Sequence, residues 1–145
     1  MITITENELD VQSFTDSVLG NENGAVNTFL GVTRNSTGGR AVIKLEYECY
    51  LPMAQKKLEE IRLEAIEKWK ISSVAIGHRV GTLGIGETSL VVAVSGPHRS
   101  PVFEVCQYIV DRIKEVVPIW KKEFFEDGAI WVDSTRCEPQ LGDSL

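Results

Sequence analysis

Long apolar runs are missing from this 145-residue chain. A bilayer-spanning helix takes about 20 predominantly apolar residues, and no stretch supplies them. The opening MITITENELD is acidic and holds no apolar signal core, so a cytoplasmic protein is expected. Positive charge is also short. Fifteen Lys and Arg stand against twenty-one Asp and Glu, a net −6. That balance argues against broad binding to nucleic acid or to a membrane surface. An anion would be held only where cations gather locally. Cysteine is sparse and odd in number. Cys49, Cys106 and Cys137 lie far apart with no Cys-x-x-Cys spacing, against both a disulfide framework and a zinc site. Reduced, packed thiols are the expectation.

What is there suits one soluble domain. The hydrophobic fraction is 43% and the charged fraction 25%, ordinary values for a globular chain. Residues 1–145 read as a single domain with a polar tail over 133–145. ITIT near the start alternates like a short strand, and GAVNTFLGVT (24–33) is rich in β-branched and aromatic residues. The turn-forming RNSTGGR (34–40) follows. Residues 41–48 alternate as a half-buried strand, with Ile43, Leu45 and Tyr47 on one face. A helix is predicted over 52–70, with Pro52 in its first turn and Ala54, Leu58, Ile61, Ala65 and Trp69 as its apolar stripe. Strand character returns at 71–80, GTLGIGET (81–88) reads as a turn, and SLVVAVSG (89–96) as a buried strand. Ser100 is the expected N-cap of a second helix with Pro101 at its first position and Val102, Cys106, Ile109 and Ile113 as its stripe. Pro118 ends it. GAIWVD (128–133) reads as a last strand. This order predicts an α+β fold with two helices on one face of a largely antiparallel sheet.

Several segments carry candidate chemistry. His98 and Arg99 follow a strand and precede a helix N-terminus, where unpaired N–H groups favour anions. Local backbone pairing and a surface ion pair explain the same residues equally well. Arg34 and Arg40 flank glycines in a loop, a setting that suits phosphate. A P-loop is excluded, because Gly-Lys-Ser/Thr is missing. Gly81, Gly84 and Gly86 miss the dinucleotide spacing. His78 has no second ligand at metal spacing and reads as structural. In RIKEVVPIWKKE (112–123), Lys114 and Lys121 flank an apolar stretch containing Pro118 and Trp120. They are a helix end and a surface pair. Alternatively, Trp120 is buried at a corner and both amines face one partly dry cleft, where desolvation and a neighbouring cation would lower a lysine pKa.

Together GAVNTFLGVTRN, LEYECYLPMA, HRVGTLGIGE and SGPHRSPVFEVCQYIVDRIKEVVPIWKKEFFEDGAIWV resemble the large, catalytic-subunit family of molybdopterin synthase, the MoaE family, over residues 24–133. The resemblance implies an α/β hammerhead element with an additional antiparallel β-sheet and helices packed on it. It implies a sulfurtransferase of molybdenum cofactor biosynthesis. Cyclic pyranopterin monophosphate would become molybdopterin with two sulfurs from a thiocarboxylate, carried on the C-terminal Gly-Gly of a small ubiquitin-like subunit. The family's assembly is a homodimer of large subunits within a heterotetramer, and no metal or cofactor is asked of this subunit. Arg34 matches the family's pocket arginine, with Val32 and Thr33 lining the site mainly through backbone. His98 and Arg99 match a pair reaching the pocket from the dimer mate. Lys114 matches the catalytic lysine, and Lys121, with Lys122 and Glu123, the second lysine block. Two anions must meet in such a reaction, so converging cations would lower their repulsion. A non-catalytic scaffold for a Gly-Gly tail is the alternative. A phosphate-ester hydrolase would want a metal or an activated nucleophile, and neither pattern is visible.

Overall fold

The apolar run near residue 90 becomes the centre of a layered sheet. The computed structural model describes residues 1–132; the tail over 133–145, with Cys137, lies outside the described residues. The elements are β1 (Ile2–Thr5), α1 (Val11–Val18), β2 (Ala25–Val32), β3 (Ser36–Thr37), β4 (Arg40–Cys49) and α2 (Leu51–Lys68). Then follow β5 (Ser73–Arg79), β6 (Gly81–Gly84), β7 (Thr88–Gly96), α3 (Arg99–Val116), β8 (Ile119–Phe125) and β9 (Gly128–Val132). One sheet has the order β1-β5-β7-β2, and only β1 runs parallel to its neighbour. β7 is apolar from Leu90 to Val94 because both its faces are covered. Leu90, Val92 and Val94 join the core formed with α2 and α3. Val91 and Ala93 pack with Phe14 and Val18 of α1.

The two expected helices thus share one face, with the predicted stripes buried except for Trp69, which is the C-cap just beyond α2 and only partly buried. The third helix, α1, was not foreseen and covers the other face. It is a short helix whose Asp10 side chain accepts from the Ser13 N–H as its N-cap. Only Phe14 and Val18 anchor it in the core. A Cβ at Gly77 would run into the Phe14 ring, so glycine in β5 is what lets α1 approach.

A second, wholly antiparallel sheet is built on β4, which pairs with β3 and β6 along one edge and with β8 along the other; β9 extends β8. This is the additional antiparallel sheet of the expected α+β fold. Four local expectations need correction. Residues 81–84 are a strand, not a turn; the turn comes after it, with Gly86 at φ 83°. Ser100 does not cap α3, because helical dihedrals begin at Arg99 and His98 is the N-cap. Pro101 still falls in the first turn, where its missing N–H costs nothing. Ile43 is exposed and Val42 buried, because a bulge between Val42 and Lys44 inserts one residue and flips the face. Finally, residues 119–125 form a strand rather than a corner. Among the described residues, no helix is long and apolar enough to cross a membrane.

Candidate active site

Pro118 sets the site in motion. Helix α3 stops at Val116, the Tyr50 N–H donates to the Pro118 carbonyl (3.2 Å), and the chain leaves as β8 against β4. Strand alternation then decides every side chain. Ile119, Lys121, Glu123 and Phe125 turn inward and are buried; Trp120 turns outward and is 43% exposed. The tryptophan expected inside is therefore outside, and the lysine takes the inner position. Lys121 is 3% exposed and Glu123 2%.

Two opposite charges so far from water must stabilise each other. Lys121 Nζ lies 3.6 Å from Glu123 Oε1, an ion pair slightly long for a hydrogen bond. Burial pulls the Lys121 amine down to about 8. Glu123 opposes that shift, while the Lys114 and Arg34 cations add to it. Lys114, Lys121 and Arg34 therefore act on one another electrically, from the last turn of α3, from β8 and from the segment after β2.

Lys121 and Glu123 floor a pocket of about 270 Å³, whose walls are Val32, Arg34, Thr37, Leu45 and Tyr47. Tyr47 lies opposite Lys121 in the β4–β8 register, and Leu45 opposite Glu123. Burial pushes the Tyr47 phenol up to about 12, so it stays protonated. Its ring meets His78 edge-on at 5.1 Å. His78 Nδ1 lies 2.8 Å from the Arg79 carbonyl, which can only accept, so that nitrogen carries the proton. Burial holds His78 down at about 4, and it is a neutral core residue supporting Tyr47.

The other predicted site residues divide by place. Val32 and Arg34 line the pocket from its exposed rim. Thr33 is 3% exposed and turned away from the lining, fixed through backbone and hydroxyl to the Glu87 carbonyl. Lys114 is half-buried. Lys122 is on the opposite face of β8 from Lys121, with its amine over the rings of Phe124 and Trp131. Strand parity therefore parts it from the pocket within this chain. Arg40 is held by Asp127 at 2.6 Å and stacks over Phe125. His98 and Arg99 are exposed at the far end of the first sheet. Ala25 pairs with Gly96 and Val32 with Thr88, so the length of β2 separates them from Arg34, about 23 Å at the strand rise. Thr37, Leu45 and Tyr47 were not singled out from sequence as site residues. Their signal was the inward parity of 45 and 47, legible as pocket lining only once β8 is known to pair there.

Neither described cysteine lines the pocket. Burial raises the pKa of both thiols, Cys106 to about 11. Among the described residues, no group of three His, Cys, Asp or Glu side chains is placed to hold a metal ion. What the arrangement can do is receive an anion, orient it by a guanidinium, and present an amine that changes charge near pH 8.

Residues 4–116 match the family described as MoaE protein. The molybdopterin synthase catalytic subunit of Bacillus subtilis is 46% identical over 129 residues, covering 89% of this chain and 82% of the relative. The human molybdopterin synthase catalytic subunit is 38% identical over 137 residues, 94% of this chain and 73% of the relative. The crystal structure of molybdopterin synthase from Staphylococcus aureus contains a chain with TM-score 0.86 and 41% identity, over 89% of this chain and 94% of that one.

Proposed function

This chain belongs to the MoaE family, and we propose that it is the catalytic subunit of a molybdopterin synthase, a sulfur-transferring enzyme of molybdenum cofactor biosynthesis. The observation that carries the proposal is the convergence of Arg34 and Lys121 on one small pocket, with Lys114 near enough to act on Lys121 electrostatically. The substrate is cyclic pyranopterin monophosphate. The sulfur donor is the thiocarboxylated C-terminal glycine of a small ubiquitin-like subunit, and two sulfurs are delivered. Both reactants are anions, so gathered cations lower the cost of bringing them together. Arg34 holds the phosphate by its planar fork. Lys114 stands beside the incoming tail and exchanges a proton or stabilises charge as sulfur attacks. Lys121, poised near pH 8, stabilises the phosphate or the carboxylate end of the tail. Glu123 holds Lys121 in place, while Lys122, on the other face of β8, stays outside this chain's pocket. The donor brings the sulfur, so this subunit needs no catalytic thiol, metal or cofactor of its own. The reaction belongs to the cytoplasm.

The working unit is a homodimer within a heterotetramer. One feature supports a shared site. Strand β2 pairs with β7 alone among the described strands and exposes Val26, Leu30 and Val32. Twofold antiparallel contact along β2 would set the Ala25 end of one copy beside the Val32 end of the other. His98 and Arg99 would then reach a mate's Arg34.

The test is co-purification with a small protein ending in Gly-Gly, then incubation of the thiocarboxylated complex with cyclic pyranopterin monophosphate. Molybdopterin is the expected product. Tail binding without sulfur transfer would instead make the chain a scaffold.

A further inference from the structure

Arg34 has to be placed accurately although it lies two residues beyond the end of β2. The β2–β7 ladder ends at the Val32–Thr88 pair, just after a register shift between Gly31 and Val32. Beyond that point strand pairing no longer holds the chain. Thr33 is held by the turn after β6 instead. Its N–H and its hydroxyl both donate to the Glu87 carbonyl, at 3.0 and 3.2 Å, and its own carbonyl accepts from the Gly86 N–H at 2.8 Å. The position of Arg34 is thus no better defined than the turn itself.

The turn has one side-chain anchor of note. Arg79, the last residue of β5, donates from its guanidinium to Glu87 Oε2 and from Nε to the Glu6 carbonyl at 3.2 Å. Its side chain is only 14% exposed, while that of Glu87 is 41% exposed. An ordinary surface pair would contribute little. Here the cation is largely out of water, and without Glu87 it keeps only the Glu6 carbonyl among these contacts. Arg79 therefore ties together the end of β1, the end of β5 and the turn that fixes Thr33.

We propose that Arg79 and Glu87 are a positioning pair for the anion-binding Arg34, acting through the Gly86–Thr33–Glu87 backbone clasp. Neither side chain lines the pocket. Their effect is to stiffen the support of a group that does, which is how a well-supported site keeps its geometry. The anion role of Arg34 rests on the synthase reading; the mechanical link between the pair and Thr33 does not.

Two measurements separate these. Amide hydrogen exchange on the purified chain is expected to accelerate on the order of tenfold at Thr33 and Gly86 in Glu87→Ala, with central β7 unchanged. Unaltered exchange at both amides overturns the pairing. In the sulfur-transfer assay of the complex, Glu87→Ala is expected to raise KM for the pterin about tenfold with kcat within about twofold, the pattern of lost uniform binding. Glu87→Gln, which keeps an acceptor, and Arg79→Lys, which keeps the charge, are expected to fall between the two and to guard against a folding defect. In an Arg34→Ala background the KM effect of Glu87→Ala should vanish. The same penalty there overturns the proposal, because the pair would then act elsewhere. Wild-type protein without sulfur transfer would overturn the synthase reading, and the exchange result would decide the clasp by itself.

Discussion

The two ends of α3 carry cations under opposite conditions. At the C-terminal end, Lys114 lies half-buried and is felt by Lys121, an amine removed from water and held near neutrality. At the N-terminal end, His98 and Arg99 stand in solvent. The first region is tuned within one chain, because low-dielectric surroundings make neighbouring charges act strongly on one another. In the second, water screens the charges, and they gain strength only where another surface arrives. The contrast separates residues that set chemistry from residues that wait for an assembly.

Lys121→Ala should break the contrast most completely. It leaves Glu123 buried without its cation, so unfolding free energy should drop by about 3 kcal/mol or more in a urea melt. Sulfur transfer should fall on the order of 100-fold or more. A stable, active variant would remove Lys121 from the site. Lys114→Ala should fold and bind the small subunit but lose product formation by a comparable factor. It should also raise the Lys121 pKa from about 8, since removing a nearby cation favours the protonated amine; side-chain NMR reads this directly.

Turnover and stability should depend on pH with opposite signs. In the wild type, turnover should decline as pH rises through about 8 and Lys121 loses its charge. Between pH 8 and 10.5 the unfolded chain binds the extra proton, so stability should rise across that window. A rate profile flat to pH 10 would show that the Lys121 charge is not used.

The other end of α3, tested together with Arg34 of the pocket, gives a smaller and different effect. Arg34→Ala and Arg99→Ala should each weaken turnover without a stability change beyond about 0.5 kcal/mol. Mixed and reassembled, the two variants should recover roughly a quarter of wild-type sites if each site takes one arginine from each copy. No recovery would place both in the same chain's site. Smallest of all should be Lys122→Ala, next door to Lys121 but on the other face. Losing contacts with Phe124 and Trp131 should cost about 1 kcal/mol or less, with turnover unchanged.

Much of this was legible before any coordinates. The α2 and α3 stripes, the buried β7 run and the stop at Pro118 follow from periodicity and backbone chemistry, which local sequence carries. The misses share one cause. Ile43 was placed inside because alternation cannot see a bulge. Gly81–Gly84 read as a turn because its glycines outweigh its pairing potential, and only β4 at its side makes it a strand. Trp120 was expected inside because tryptophan is large and apolar. The partner strand set the parity, and parity put a lysine in the core instead. Helix α1 is short, and Gly77 beneath Phe14 is meaningful only once the sheet and helix meet.

By itself the sequence determined the α+β class, the boundaries of α2 and α3 to within a residue or two, and the cast of cations, since these depend on residue type and local spacing. Only the tertiary structure decided which cations share a pocket. Lys121 and Lys122 are neighbours in sequence, yet pairing across β4 and β8 buries one and leaves the other partly exposed on the opposite face. Arg34 comes from another sheet's edge, and its charge adds to the burial that lowers the Lys121 pKa.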